Sequence, residues 1–106
     1  RAEEYMQDHM DEVSDLVVEN LDLEKETADS FVLSPHMKYD TDPFTKSVQI
    51  MWEKMGNFGY LTTGEIDIND HMNSSIYKRA LESLIEDYPD SQFFKDKMAQ
   101  FEENNL

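Results

Sequence analysis

Phe44, Val48, Met51, Trp52 and Met55 recur at i, i+4, i+7, i+8 and i+11. That spacing gathers all five on one face of a helix and scatters them over both faces of a strand. The same period returns in three other segments. Met6, Met10, Val13, Val17 and Leu21 form a stripe over residues 2–21, with Glu3, Glu4, Asp8, Asp11, Asp15 and Glu19 largely off it. Ile76, Tyr77, Ala80, Leu81, Leu84, Ile85 and Tyr88 do so over 73–88, and Phe94, Met98 and Phe101 over 91–103. A shorter helix is expected over 24–32, facing inward with Ala28, Phe31 and Val32. Only three glycines and three prolines occur in 106 residues, too few turn positions for a many-stranded sheet. The reading is an all-α fold of four to five helices in a single domain covering residues 1–106.

The punctuation fits that count. Asp22 precedes Glu24 and Glu26 as a cap, with acids placed where the helix dipole favours them. Pro35 disfavours helix at Ser34, so residues 34–43 are expected as a loop. Asp42-Pro43 reads as an N-cap followed by proline at the first helical position. Gly56 and Gly59 bracket the end of the third helix, Gly59 in the left-handed conformation. In the connector 60–72, Ile66-Asp67-Ile68 alternates as a short extended piece would, and Pro89 stops the fourth helix. Residues 102–106 are expected to fray. The five core-stripe methionines, Met6, Met10, Met51, Met55 and Met98, are expected to pack inside, as is Trp52 against Met55 and Phe44.

The net charge is −15 and unevenly spread. Residues 1–30 hold eleven acids against Arg1 and Lys25, a local net of −9, whereas 31–64 are neutral and 65–106 carry −6. Such a field repels nucleic-acid backbones and acidic lipid headgroups, so no nucleic-acid partner is expected. Two readings of the acidity stand: a solvated surface, the commoner outcome, and an acidic mimic of DNA. No apolar run approaches the roughly 18–20 residues of a bilayer span. Cysteine is absent, which excludes disulfide and thiol chemistry and leaves the compartment open.

Catalytic and metal-binding patterns fail on spacing. Asp67, Asn69, Asp70 and Asn73 gather oxygen ligands, yet counting from Asp67 puts Met72 where a calcium loop needs glycine and Lys78 where it needs a bidentate glutamate. Capping and turn formation account for those residues instead. His9, His36 and His71 lie on separate segments, with no pair spaced for zinc. Ser34, Ser74 and Ser75 lack a nucleophile-elbow context. We expect no enzyme, metal or cofactor.

The order Trp52, Met55, Gly59-Tyr60-Leu61, Ile66-Asp67-Ile68, Asn73, Ile76-Tyr77, Ala80-Leu81, Tyr88-Pro89 resembles the closing section of substrate-binding proteins of ABC importers. The similar branch handles nitrate, sulfonates, taurine and thiamine-pyrimidine precursors and has the type II periplasmic-binding-protein fold. The likeness extends upstream through Arg1-Ala2, Tyr5-Met6, Glu12, Leu21-Asp22-Leu23-Glu24 and Tyr39. It implies the C-terminal helical part of an extracytoplasmic receptor, periplasmic or lipid-anchored on the outer face of the cell membrane. Its partners would be the rest of that receptor and an ABC permease, with a small anionic solute bound by the whole protein. The chain begins at Arg1, inside an expected helix, which fits a fragment of a longer protein. The two α/β lobes of such receptors, and the helix N-termini that hold an anion, are not among these residues. By that likeness, the loop carrying Ser34, His36 and Tyr39 is the segment nominated to lie near the ligand cleft. An apolar face left uncovered by the missing lobes would favour a homodimer or a domain-swapped pair of the isolated chain.

Overall fold

The computed structural model describes residues 1–61 and 66–106, which are 69% helical with no strand among them. Residues 62–65 of the expected connector lie outside the described residues. The all-α reading holds, with six α-helices among the described residues where four to five were expected. The backbone gathers into two compact units, Arg1–Thr41 and Asp42–Leu106.

In the first unit, α1 (Ala2–Gln7), α2 (Met10–Leu21) and α3 (Lys25–Val32) follow one another closely. The sequence pattern reads residues 2–21 as one helix, but the chain breaks at Asp8-His9. The cause is local. His9 stacks on Tyr5 with ring centroids 3.8 Å apart, and its Nδ1 lies 2.7 Å from the Tyr5 carbonyl. In the tautomer protonated at Nδ1, the imidazole donates to the carbonyl that the His9 backbone N–H would bond in an unbroken helix. That N–H turns to Met6 O, one residue on.

The buried face of α2 centres on Ser14, fully enclosed, not on the expected stripe end at Leu21, which is exposed. Ser14 donates its hydroxyl hydrogen bond to Asp29 of α3, where Ala28 and Val32 are also buried. Small side chains at 14 and 28 let the two helices approach closely. Asp22, read from the sequence as the start of the next helix, instead ends α2 in the left-handed conformation (φ 51°). Leu23 N–H then bonds Val18 O, the six-to-one bond of a Schellman closure. Glu3 is buried and accepts from the Thr41 backbone N–H and hydroxyl, fastening the end of the unit to α1.

The second unit contains α4 (Thr45–Asn57), a 3₁₀ turn (Ile68–His71), α5 (Ser75–Asp87) and α6 (Gln92–Asn105). Its buried apolar side chains are Leu81 of α5 and Phe94 and Phe101 of α6. Tyr77 lies 5.8 Å from Phe101 and Tyr88 6.0 Å from Phe94, so aromatic pairs bind α5 to α6 along their length. Gly59 is left-handed (φ 76°) as expected, and Tyr60 N–H closes α4 onto Met55 O at 2.9 Å.

The start of α4 differs from the expected Asp42-Pro43 cap. Asp42 Oδ1 accepts from Phe44 N–H at 2.8 Å, forming a turn ahead of the helix, and Phe44 itself is left-handed (φ 48°). The cap comes from sixty residues away: Asn105 Oδ1 accepts from Thr45 N–H at 2.8 Å. For the same reason residues 102–105 are helical, not frayed. Met51 and Met55 stand exposed and Trp52 is only half-buried, so the expected packing of this face inside is not what the fold does.

Candidate functional site

The loop 33–44 carries the three residues nominated from sequence. Ser34 Oγ accepts from His36 N–H at 3.2 Å, and Ser34 O accepts from Met37 N–H at 3.2 Å, so this stretch is a tight turn held by its own polar groups. The His36 side chain is exposed. Tyr39 is half-buried, and its hydroxyl reaches the Val32 carbonyl at the end of α3 at 3.5 Å. The fold brings Ser34 and His36 together and directs Tyr39 back to α3.

Two polar clusters stand out, one around the buried Asp42 and one around the buried Ser14. At Asp42, three side-chain amides of α6 converge on one carboxylate: Gln100 at 3.2 Å, Asn104 at 3.3 Å and Asn105 at 2.7 Å, besides the Phe44 N–H. Burial alone would push this carboxyl up, but the Asn105 amide, the Phe44 N–H, Asn104 and Gln100 outweigh it and hold its pKa below the ordinary value. A carboxylate so satisfied is a poor proton donor or base, and its chemistry is that of a clamp.

The second cluster joins α2 to α3. Lys25 Nζ lies 2.7 Å from Asp15 and 3.2 Å from Asp29, and Asp29 also takes the Ser14 hydroxyl. The Ser14 hydrogen bond, aided by Lys25, lowers the Asp29 pKa, while the Asp15 hydrogen bond raises that of Lys25. Both shifts favour the charged pair. With Asp29 depressed as a base, nothing here activates Ser14 as a nucleophile.

A concave surface lies in the first unit, between α1 and α2. Their divergence at His9 opens a groove of about 570 Å³, with Ala2, Tyr5 and Met6 on one side, Val13 and Leu16 on the other, and Arg1 and Glu12 at its margin. Tyr5 donates to Glu12 at 2.7 Å, a bond that raises the Tyr5 pKa by favouring the protonated phenol. Sequence reading missed this groove because it assumed one unbroken stripe. The available signal was Leu16, an apolar residue standing off that stripe among acids.

The oxygen-rich connector caps helices. Asp67 Oδ1 accepts from the Asn69 backbone at 2.9 Å and side chain at 2.8 Å, and Asn73 Oδ1 accepts from the Ser75 backbone at 3.1 Å. Among the described residues no three His, Asp or Glu side chains are arranged to hold a metal ion. No helix among them is long and apolar enough to cross a membrane. Compared with known proteins, the chain matches no family model, no curated protein and no solved structure.

Proposed function

We propose that this chain is the C-terminal helical segment of an extracytoplasmic solute-binding protein of an ABC importer, acting without catalysis. In this reading it supports the α/β lobe that docks on the permease, and the whole receptor takes a small anion of the sulfonate, taurine or nitrate class. One observation carries it. Several residues that bear the resemblance in the second unit are left uncovered by its own helices, although Leu81 is buried: Tyr60 is 74% exposed and Ile76 63%, with Met55, Ile66 and Tyr88 also exposed. Met51 of α4 and Phe58 just beyond it are exposed as well. So many large uncovered apolar side chains fit a segment that packs on a further body. In this reading the receptor's lobes are that body, and the loop of Ser34, His36 and Tyr39 lies near its cleft.

The test is whether the reading frame around this chain also encodes two α/β lobes, of about 100–150 residues each, behind a secretion signal. The full-length product is expected to bind taurine, an alkanesulfonate or nitrate with micromolar affinity in calorimetry. The 106-residue chain alone is expected to bind them no better than millimolar, because it lacks the anion-holding helix ends. A frame without such lobes, or micromolar binding by the chain alone, overturns the proposal. The second reading, a stand-alone acidic interaction module, rests on the same uncovered surface and would be favoured by the frame without lobes.

A further inference from the structure

The groove between α1 and α2 is apolar inside and acidic outside, and it lies wholly within the first unit. Tyr5 and Leu16 form its two lips and are each about half exposed, at 53% and 54%. Tyr5 is held on both sides, by the stack on His9 and by the hydrogen bond to Glu12. A fixed aromatic lip loses little freedom when something docks against it. Glu12, Asp15 and Glu19 are all exposed and run beside Leu16 at i, i+3 and i+7, forming a row of carboxylates along one edge of the groove. Asp15 is paired with Lys25, but among the described residues neither Glu12 nor Glu19 forms an ion pair with a base.

Charge decides the occupant. With eleven acids against two bases in residues 1–30, this surface repels a second copy of itself, a nucleic-acid backbone and an anionic lipid surface. It suits a segment that offers apolar side chains to the groove and cations to the carboxylate edge. The groove wall on α2 runs from Glu12 to Leu16, about one helical turn, so it seats one to two turns of a docked helix. We propose that the α1–α2 groove docks the apolar face of a short cationic amphipathic helix from a partner protein, with Lys or Arg side chains of that helix meeting Glu12 and Glu19. The recognition is helix-in-groove, with apolar anchors at i, i+3 or i+4, and i+7. Its observations are those of the groove, whereas the receptor reading is carried by exposed residues of the second unit.

The experiment uses the whole chain and a fluorescein-labelled synthetic Leu/Lys amphipathic helix of about 14 residues, long enough to fill the groove and reach Glu19 beyond it. Fluorescence anisotropy is read against a Leu/Glu counterpart and a scrambled Leu/Lys peptide. The Leu/Lys helix is expected to bind, and the two controls are not. Leu16→Asp removes an apolar lip while adding a negative charge, so groove docking predicts a loss of about tenfold or more. Attraction by bulk charge alone predicts unchanged or tighter binding, and that outcome overturns the proposal. Glu19→Gln, an exposed change that leaves the helix contacts intact, is expected to weaken binding about two- to fivefold at low salt. Equal binding of the scrambled peptide, no binding of the Leu/Lys helix, or a Leu16-dependent dimer in sedimentation each overturns it as well.

Discussion

Asp42 shows how one side chain organises a small helical unit. Its carboxylate accepts from three side-chain amides of α6 and from the Phe44 N–H, so it joins the start of one helix to the end of another. Asp42→Asn keeps the shape but turns an NH₂ group toward side chains that also donate. The expected cost is roughly 1.5–3 kcal/mol in urea unfolding at neutral pH. Because the folded-state pKa lies below the ordinary value of 3.8, the carboxylate's contribution is complete above about pH 4 and is lost as pH falls through the depressed folded value. Asp29, lowered by Ser14 and then Lys25, acts in the same sense. The wild-type chain should therefore lose stability below about pH 4, and Asp42→Asn should flatten part of that acid limb. Equal stability of variant and wild type at both pH 7 and pH 3 would show that the clamp contributes nothing.

Helix identity was legible in this sequence, and helix ends were legible only where the ending is local. The periods over 44–55, 76–88 and 94–101 gave α4, α5 and α6, because a 3.6-residue stripe is a property of the segment itself. Gly59 and Asn73 were legible as end signals for a related reason: the left-handed conformation and the side-chain cap involve near neighbours. The start of α4 was not, since its cap is Asn105, remote in sequence. The break at His9 was hidden because a stacked imidazole replacing a backbone donor leaves the apolar period unchanged. The nominated loop was legible as a loop, yet which way Tyr39 turns depends on the α3 carbonyl it meets. One element-level variant follows from the Schellman end of α2. Asp22 is exposed and left-handed, a conformation glycine adopts without steric cost. Relief of left-handed strain, about 1–2 kcal/mol, outweighs the extra unfolded-state freedom of glycine, about 0.4–1 kcal/mol, so Asp22→Gly is expected to raise stability by about 0.5–1 kcal/mol, seen as a higher urea midpoint. A lower midpoint would mean that the aspartate side chain stabilises the turn.

At the scale of the whole chain, electrostatics opposes folding. A net charge of −15 on 106 residues, with −9 concentrated in the first thirty, raises the energy of any compact state. Exposed like charges are screened by salt over about 10 Å at 0.1 M. Raising sodium chloride from 0.01 to 0.5 M should therefore increase the melting temperature followed by circular dichroism, by about 4–8 °C for each kcal/mol gained. A melting temperature that falls with salt would mean that the few ion pairs, such as Lys25 with Asp15, outweigh the repulsion. Time enters through the Asn105 cap. Thr45 and Asn105 are sixty residues apart, and a ribosome adding about 5–20 residues per second needs roughly 3–12 s to cover that distance. For those seconds the newly made α4 has a bare amino end, and its apolar residues have no α6 beside them. A nascent chain in this state is a substrate for whatever binds unfinished helices, and the last turn of α6, which brings Asn105 to Thr45, is the event that caps it.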